Sequence, residues 1–548
     1  MNLRSLICLC AILFAALAHA QNNGQTDLDK AMELKLTAES IKDLGEVINH
    51  CRSALAAGLD ATNKDFAEKL LVGTLLQRAE IMSQPIFDPS GPAPQWPLMR
   101  RQALLDLEEA AKLDQAQFDI FYLVGRLQAL PGGDRAKALK ALERAIALAA
   151  ENPAHRAKCL LLRANLSEDP AARLADYSEA VKLEPNNAEI LRTRGTFYLT
   201  EKKYDEALAD LDQAIEHDPE DSDAHEARGV VLFLLNKNDE ALKSFNRVIE
   251  LQPKSAMAYT HRARIYAIDN KIDEALKELD QAIELEPRLP TSYLLRARLY
   301  QQKGEAEKAM SDSDEALRLA PNDPQARQLH AMLLAGSGKI EDAIGDLRQL
   351  VQSDPKNLEV QLQLGLFYAA DKQQQKAIDI FGEILKQKPD NQFVLRNRGD
   401  AWLGLGKLKE AIADYEAALK LDENDSGVLN NLAWLLATAP VDNLRNGQRA
   451  IELAKTAARV TEFKQAHILS TLAAAYAETG DFENAKNWSK KAVELAGKEN
   501  DDKDIREQLQ KELASYEANK PWRETFEPQK SDDPEPEALP EPAAEPKK

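Results

Sequence analysis

Through the middle of the chain, hydrophobic residues fall into short helical stripes separated by polar breaks. In residues 222–255, Ala224, Ala227, Val231, Leu232 and Leu235 make one stripe, which stops at the polar turn Asn236-Lys237-Asn238. A second stripe, Ala241, Leu242, Phe245, Val248 and Ile249, ends before Pro253. Steps of three and four residues predict two amphipathic helices packed face to face. A proline cannot continue the second helix and turns the chain into the next unit. The same punctuation recurs at Pro185, Pro219, Pro253, Pro287, Pro321, Pro355 and Pro389, each 34 residues after the last. A fixed period of this length predicts one helix-turn-helix unit stacked into a solenoid.

Small residues recur in register with the prolines. Gly195, Gly229, Ala263, Ala297, Ala331, Gly365 and Gly399 hold one repeat position, and Ala207, Ala241, Ala275, Ala309, Ala343, Ala377 and Ala411 hold another. Tyr198, Tyr266, Tyr300, Tyr368 and Trp402 supply an aromatic in the first helix. This pattern resembles the tetratricopeptide repeat (TPR). The resemblance implies an all-α, right-handed superhelical solenoid of about twelve stacked helix pairs, with first helices lining a concave groove that binds proteins. Asn430 to Thr438 and Leu472 to Gly480 look like the C-terminal pairs of exported bacterial members of this family.

The remaining chain divides by composition. Residues 1–20 read as a signal peptide, with Arg4, an apolar run from Leu6 to Leu17, and the small-x-small site Ala18-His19-Ala20. Residues 21–118 read as irregular helix pairs interrupted by a proline-rich loop at 83–97. Within that loop, Phe87 and Trp96 are expected to fold back over the end of the solenoid, with a binding finger as the alternative. A divergent repeat at 119–153 precedes the regular array at 154–425. Two further pairs at 426–497 and a charged capping helix at 498–520 follow. From 521 to 548 prolines alternate with acids, the composition of a disordered tail.

Charge and cysteine content narrow the function. A net charge of -20 argues against nucleic acid as partner, because phosphate binding needs a basic face. Signal cleavage would leave no transmembrane anchor and place the chain in the periplasm or outside the cell. Cys51 and Cys159, in different repeats, read as buried thiols. No catalytic constellation, cofactor motif or metal-ligand spacing is present. Gly336-Ser337-Gly338-Lys339 falls where each repeat makes its inter-helix turn and lacks the rest of a phosphate loop.

Two residue sets remain. Arg194, Arg228, Arg262, Arg296 and Arg398 recur just before the small position, and 16 residues on stand Asp210, Ser244, Glu278, Asp312 and Asp414. Leu364, which breaks the row, has Ile380 at the same offset, so the two rows are expected to touch as a ladder of ion pairs. A phosphate-binding stripe is the alternative. The resemblance places Arg192, Met257, Arg264, Leu294, Arg298, Gln301, Leu366, Arg396 and Asp400 on the groove, as candidates for holding a protein or peptide. Arg264 and Arg298, one repeat apart, suit an acidic or carboxylate-bearing segment. The lysine and asparagine clamp of chaperone-binding members is not reproduced. The expected function is an exported, non-enzymatic scaffold for protein-protein interaction. The alternative is a structural or assembly component of the cell envelope or of polysaccharide-export machinery.

Overall fold

The computed structural model describes residues 24–88, 94–498 and 503–525. The expected signal segment and the tail from 526 lie outside the described residues. Among them every regular element is helical. The order begins with α1 (24–35), α2 (Ile41–Ala57), α3 (Ala61–Ser83), α4 (Trp96–Leu113), α5 (Phe118–Ala129), α6 (Arg135–Leu148), α7 (Pro153–Leu166) and α8 (Pro170–Leu183). It continues with α9 (Ala188–Thr200), α10 (Tyr204–His217), α11 (Ser222–Leu234), α12 (Asn238–Leu251), α13 (Ala256–Ile268) and α14 (Ile272–Leu285). Next come α15 (Pro290–Lys303), α16 (Ala306–Leu319), α17 (Pro324–Gly336), α18 (Ile340–Ser353), α19 (Leu358–Ala370) and α20 (Gln374–Gln387). The chain closes with α21 (Gln392–Gly404), α22 (Leu408–Leu421), α23 (Ser426–Thr438), α24 (Gly447–Val460), α25 (Ala466–Glu478), α26 (Phe482–Lys498) and α27 (Lys503–Glu517).

The local chemistry repeats with the period. Two residues after a repeat proline stands an Asn, Asp or Ser whose side chain accepts from the first-turn amides, as Asn187, Asp221, Ser255, Asp323, Asn357 and Asn391 do. Such caps satisfy amides that have no partner inside the helix. Leu289 cannot cap, and there Pro290 starts the helix instead, where its missing N–H costs nothing. The turn inside each pair needs one left-handed residue, and Lys202, Asn236, Asn270, Gly304, Gly338, Lys372 and Gly406 supply it at successive 34-residue steps. Gly338 thereby accounts for the Gly-Ser-Gly-Lys string.

Packing within a pair depends on volume exchange. The alanines of the second helix, Ala207 through Ala411, are all fully buried. At three of the four first-helix glycines in the small position the residue 16 positions on is aromatic, and Gly195 faces Leu211. A Cβ on Gly229, Gly365 or Gly399 would stand 2.6, 2.5 or 2.7 Å from Phe245, Phe381 or Tyr415. Alanine at the same position faces smaller partners, Leu347 for Ala331 and Ser313 for Ala297.

By contacts the chain forms two compact units, Met1–Ile265 and Tyr266–Lys548, with the division inside α13. In the first, α3/α4, α5/α6, α7/α8, α9/α10 and α11/α12 pack as pairs, and in the second α15/α16 through α25/α26 do. Successive first helices also touch, α9 with α11 in the first unit and α15 with α17 and α19 with α21 in the second. Successive second helices make no comparable contact among the described residues. Each unit therefore curves with its first helices on the inner side.

The two ends depart from the regular pattern. In the first unit α3 runs on into a short 3-10 turn, Gln84–Ile86, which buries Ile86. Phe87 and Trp96 are half-buried against the core cluster of α2–α5, and the Arg126 guanidinium lies 3.8 Å from the Phe87 ring centre. At the other end α27 packs on α26 and buries Tyr516. Residues 521–525, assigned by composition to the tail, are instead part of the fold. Trp522 packs on the core, Arg523 pairs with Glu478 at 2.5 Å, and Glu524 N donates to Thr438 O at 2.9 Å. The sequence signal was one tryptophan and one arginine in a proline-rich setting, too little to outweigh the composition around it.

Candidate protein-interaction face

Two lines of side chains run across the repeats, one between helices and one along the inner side. The first is a ladder of charged rungs. Arg194 Nε and Nη2 each lie 2.7 Å from the Asp210 carboxylate, and Arg398 makes the same bidentate contact with Asp414 at 2.7 Å. Arg296 meets Asp312 at 2.7 and 2.8 Å. Arg228 donates to Ser244 at 2.9 Å. Leu364 and Ile380 are both buried in the apolar core. Arg262 and Glu278 belong to different units, and within its own unit Arg262 donates to Asn246 at 2.9 Å.

The ladder is broader than the 16-residue offset suggested. Arg228 also reaches back 16 residues to Asp212 at 2.6 Å, and Arg296 reaches back to Asp280 at 2.6 Å. His330 stands in the arginine row between Asp346, 2.5 Å from Nδ1, and Asp314, 3.0 Å from Nε2, while Arg327 holds the other Asp346 oxygen at 2.9 Å. At Arg228, Arg296 and His330 the rung thus joins its own second helix to that of the preceding pair. The signal lay in a further 34-residue row, Asp212, Asn246, Asp280 and Asp314. Hydrogen bonding to Asp312 raises the Arg296 guanidinium, and hydrogen bonding to Asp346 raises the His330 imidazole against the opposing effect of burial. Arg78 and Asp106 form an earlier, more buried bidentate pair at 2.7 Å. With Arg194, Arg296 and Arg398 each held bidentately by a carboxylate and Arg228 held by Asp212 and Ser244, the row serves packing rather than a phosphate ligand.

The second line comprises the groove candidates, at steps of four and three residues on the inner side of the first helices. Several are spent within the chain. Arg192 pairs with Asp221 at 2.9 Å and Asp223 at 3.1 Å, in a hollow of about 380 Å³ edged by Glu189, Asp218 and Glu220. Arg396 faces Asp425 at 3.6 Å and lies against Gly427, where a side chain would collide with its guanidinium. Asp400 accepts from the Tyr415 hydroxyl at 2.6 Å and from Asn431 at 3.0 Å, and burial with Asp400 beside it pushes that hydroxyl's pKa up. Arg298 donates to Gln325 at 3.3 Å, Gln301 is exposed, and Met257 is half-buried. Arg264 lies in the first unit and Arg298 in the second. Leu294 corrects the expected lining: it is buried among Ala297, Ala309, Ala316, Ala326 and Leu329 and contributes to the core.

Beside those paired charges, the inner side of the second unit carries a run of apolar side chains from α17 to α23, with Gln325, Gln328, Glu359 and Asn430 at the same register positions. Met332 is 45% exposed and Phe393 48%, and between and beyond them Leu362, Leu366, Leu403 and Trp434 are half-buried, each with a free edge. Phe393, Leu403 and Trp434 were missed in sequence. Trp434 follows Leu366 and Asp400 by whole repeats, so a register count carried past Lys420 would have found it. In the first unit His261 stacks on Phe245 at 4.8 Å between ring centres, and burial pushes its pKa down to about 4. The Cys51 and Cys159 thiols are free and buried, which raises Cys51 to about 11 and Cys159 to about 12. Among the described residues no group of His, Cys, Asp and Glu could hold a metal, and no helix is long and apolar enough to cross a membrane.

Comparison with known proteins agrees with this register. Tetratricopeptide repeat family models match residues 192–256, 254–402, 392–425 and 466–499. No curated protein is significantly similar in sequence. Among solved structures, a tetratricopeptide repeat protein from Parabacteroides merdae is 21% identical, covering 46% of this chain and 99% of its own, with a TM-score of 0.40. YrrB, described as a TPR protein with an unusual peptide-binding site, is 20% identical over 35% of this chain and 98% of its own, TM-score 0.33. Yeast Tom70 is 15% identical over 70% of this chain and 92% of its own, TM-score 0.31. The matched segments, the 34-residue period of prolines, caps and left-handed turns, and the paired helices together place the chain among the tetratricopeptide repeat proteins.

Proposed function

We propose that this protein is an exported, non-enzymatic scaffold that holds a protein segment on the inner face of its second unit, through apolar side chains rather than an arginine pair. The observation that carries the reading is the run Met332, Leu362, Leu366, Phe393, Leu403 and Trp434 on successive first helices, left after neighbouring charges are paired within the chain. Apolar surface of this kind loses its contact with water only when a partner covers it. A segment with apolar side chains on one side, amphipathic helix or extended chain, fits such a lining. Residues 1–20 support export.

The test is a capture experiment from envelope extract with the full chain as bait, beside Leu366→Glu and a variant carrying Arg264→Glu with Arg298→Glu. The reading requires a partner retained by the arginine variant and lost by Leu366→Glu. Retention by Leu366→Glu with loss from the arginine variant would move the site to the charged positions. N-terminal sequencing of the mature protein should begin at Gln21, and an intact Met1 would refute export by this signal.

A further inference from the structure

Away from the inner face, the second unit carries an aromatic cleft of about 350 Å³ between the α24–α25 turn and α26. Phe463 and Trp488 stack with ring centres 5.6 Å apart and planes 18° from parallel. Leu469 and Leu495 continue the apolar lining, and Lys491, its ammonium 4.1 Å from the Trp488 ring centre, stands at the edge with Glu494. Phe463 is 42% exposed although it has a hydrophobic partner within reach. Its backbone is also unusual. Glu462 and Phe463 have φ of 52° and 59°, two successive left-handed residues without a glycine, held by Phe463 N donating to Ala458 O at 2.7 Å. L side chains rarely adopt that conformation, and a bulky ring is among the least suited to it. What the turn achieves is an aromatic ring standing upright at the rim.

Stacked aromatic rings beside an aliphatic wall are the surface on which proline-rich extended segments dock, because such segments are already extended and lose little freedom on binding. We propose that this cleft holds the chain's own acidic, proline-rich segment, residues 526–548. Pro534, Pro536, Pro540 and Pro542 supply the rings, and Glu535, Glu537 and Glu541 supply charge for Lys491. The position of the segment's start makes the occupant local. Arg523 is pinned to Glu478 in the last turn of α25, and Leu469 of the cleft lies nine residues earlier on that helix. At the α-helical rise those points are about 14 Å apart along the axis. The residues between Thr525 and Pro534 span about 25 Å when extended, enough to go round the helix as well as along it. Tethering of this kind gives the segment a high effective concentration over any free competitor. Such a self-contact would hold whatever occupies the inner face.

A photo-crosslinker reads the occupant directly. The full chain carrying Phe463→p-benzoylphenylalanine, with the ring in its exposed position, is irradiated and digested, and the linked peptides are identified by mass spectrometry. The expected product is an intramolecular link to a peptide within 526–548, with a yield unchanged on dilution. Replacing Pro534, Pro536, Pro540 and Pro542 together with alanine should lower that yield by about five-fold, since ring contacts and pre-extension are lost together. Links confined to other segments, links between two chains that fade on dilution, or a yield indifferent to the four prolines would each overturn the assignment.

Discussion

At the level of single residues, the rungs between helices decide the most. Arg296 is held by two carboxylates from consecutive second helices, so Arg296→Ala leaves Asp312, itself only 9% exposed in its side chain, without a partner. Breaking such a pair from one side should cost about 3 kcal/mol, and the double variant with Asp312→Ala should show a coupling above about 1 kcal/mol in urea unfolding. Additive losses would mean the contact does not exist in solution. His330 makes the same kind of rung titratable. Its folded pKa is raised by Asp346 and Asp314, so the stability it contributes is complete below its unfolded value and declines as pH rises through the higher folded value. Unfolding midpoints should therefore fall as pH rises above about 6.5 in the native chain, and His330→Arg, which copies the other rungs, should remove that slope. An unchanged slope would assign the pH dependence to other groups.

Among helices, the pairing rule is volume exchange across each pair. Gly365→Ala would drive a methyl to 2.5 Å from Phe381 and should cost about 2 kcal/mol through forced displacement of the ring. Adding Phe381→Leu should restore much of the loss, because Ala331 with Leu347 already uses that combination. A Gly365→Ala variant as stable as the parent, measured by thermal unfolding, would show that the helices can slide apart at no cost. The turn position behaves differently, since it lacks neighbours. Lys372 holds φ of 61° there with nothing gained from its side chain in the backbone, so Lys372→Gly should be neutral or stabilising by up to about 1 kcal/mol. Much of this was readable in the sequence: glycine and alanine marked the close approach, and prolines marked the ends. The caps two residues after every repeat proline but Pro287, nearly as periodic, passed unread because Asn, Asp and Ser are common in any loop.

The two compact units, and the strap that residues 521–525 make across α23 and α25 of the second, belong to the scale of the whole molecule. Repeats that touch only their neighbours spread stability locally, so damage at the strap should stay near it. Trp522→Ala, which removes a half-buried ring from the core of the second unit, should cost about 2 kcal/mol and speed amide exchange in α23, α25 and α26. Exchange in α9–α12 should not change. Uniform acceleration along the chain would show a cooperativity that neighbour contacts do not predict. The interaction face was less legible than the fold. Arg192, Arg396 and Asp400 stand at positions that a register count makes available, yet each is held by another side chain of the same chain.

Periodicity was settled by the sequence alone, because a helix pair that must bury one face against the next pair forces the same residue types to return every 34 positions. Helix ends, turns, close contacts and the arginine-carboxylate rows follow from that recurrence. The tertiary structure alone decided which charges are already paired, since pairing depends on distances between helices that no period encodes. It also drew Leu294 into the core, returned residues 521–525 to the fold, and raised Phe463 at the rim of its cleft. Those outcomes turn on three-dimensional neighbours, and a one-dimensional pattern carries no record of them.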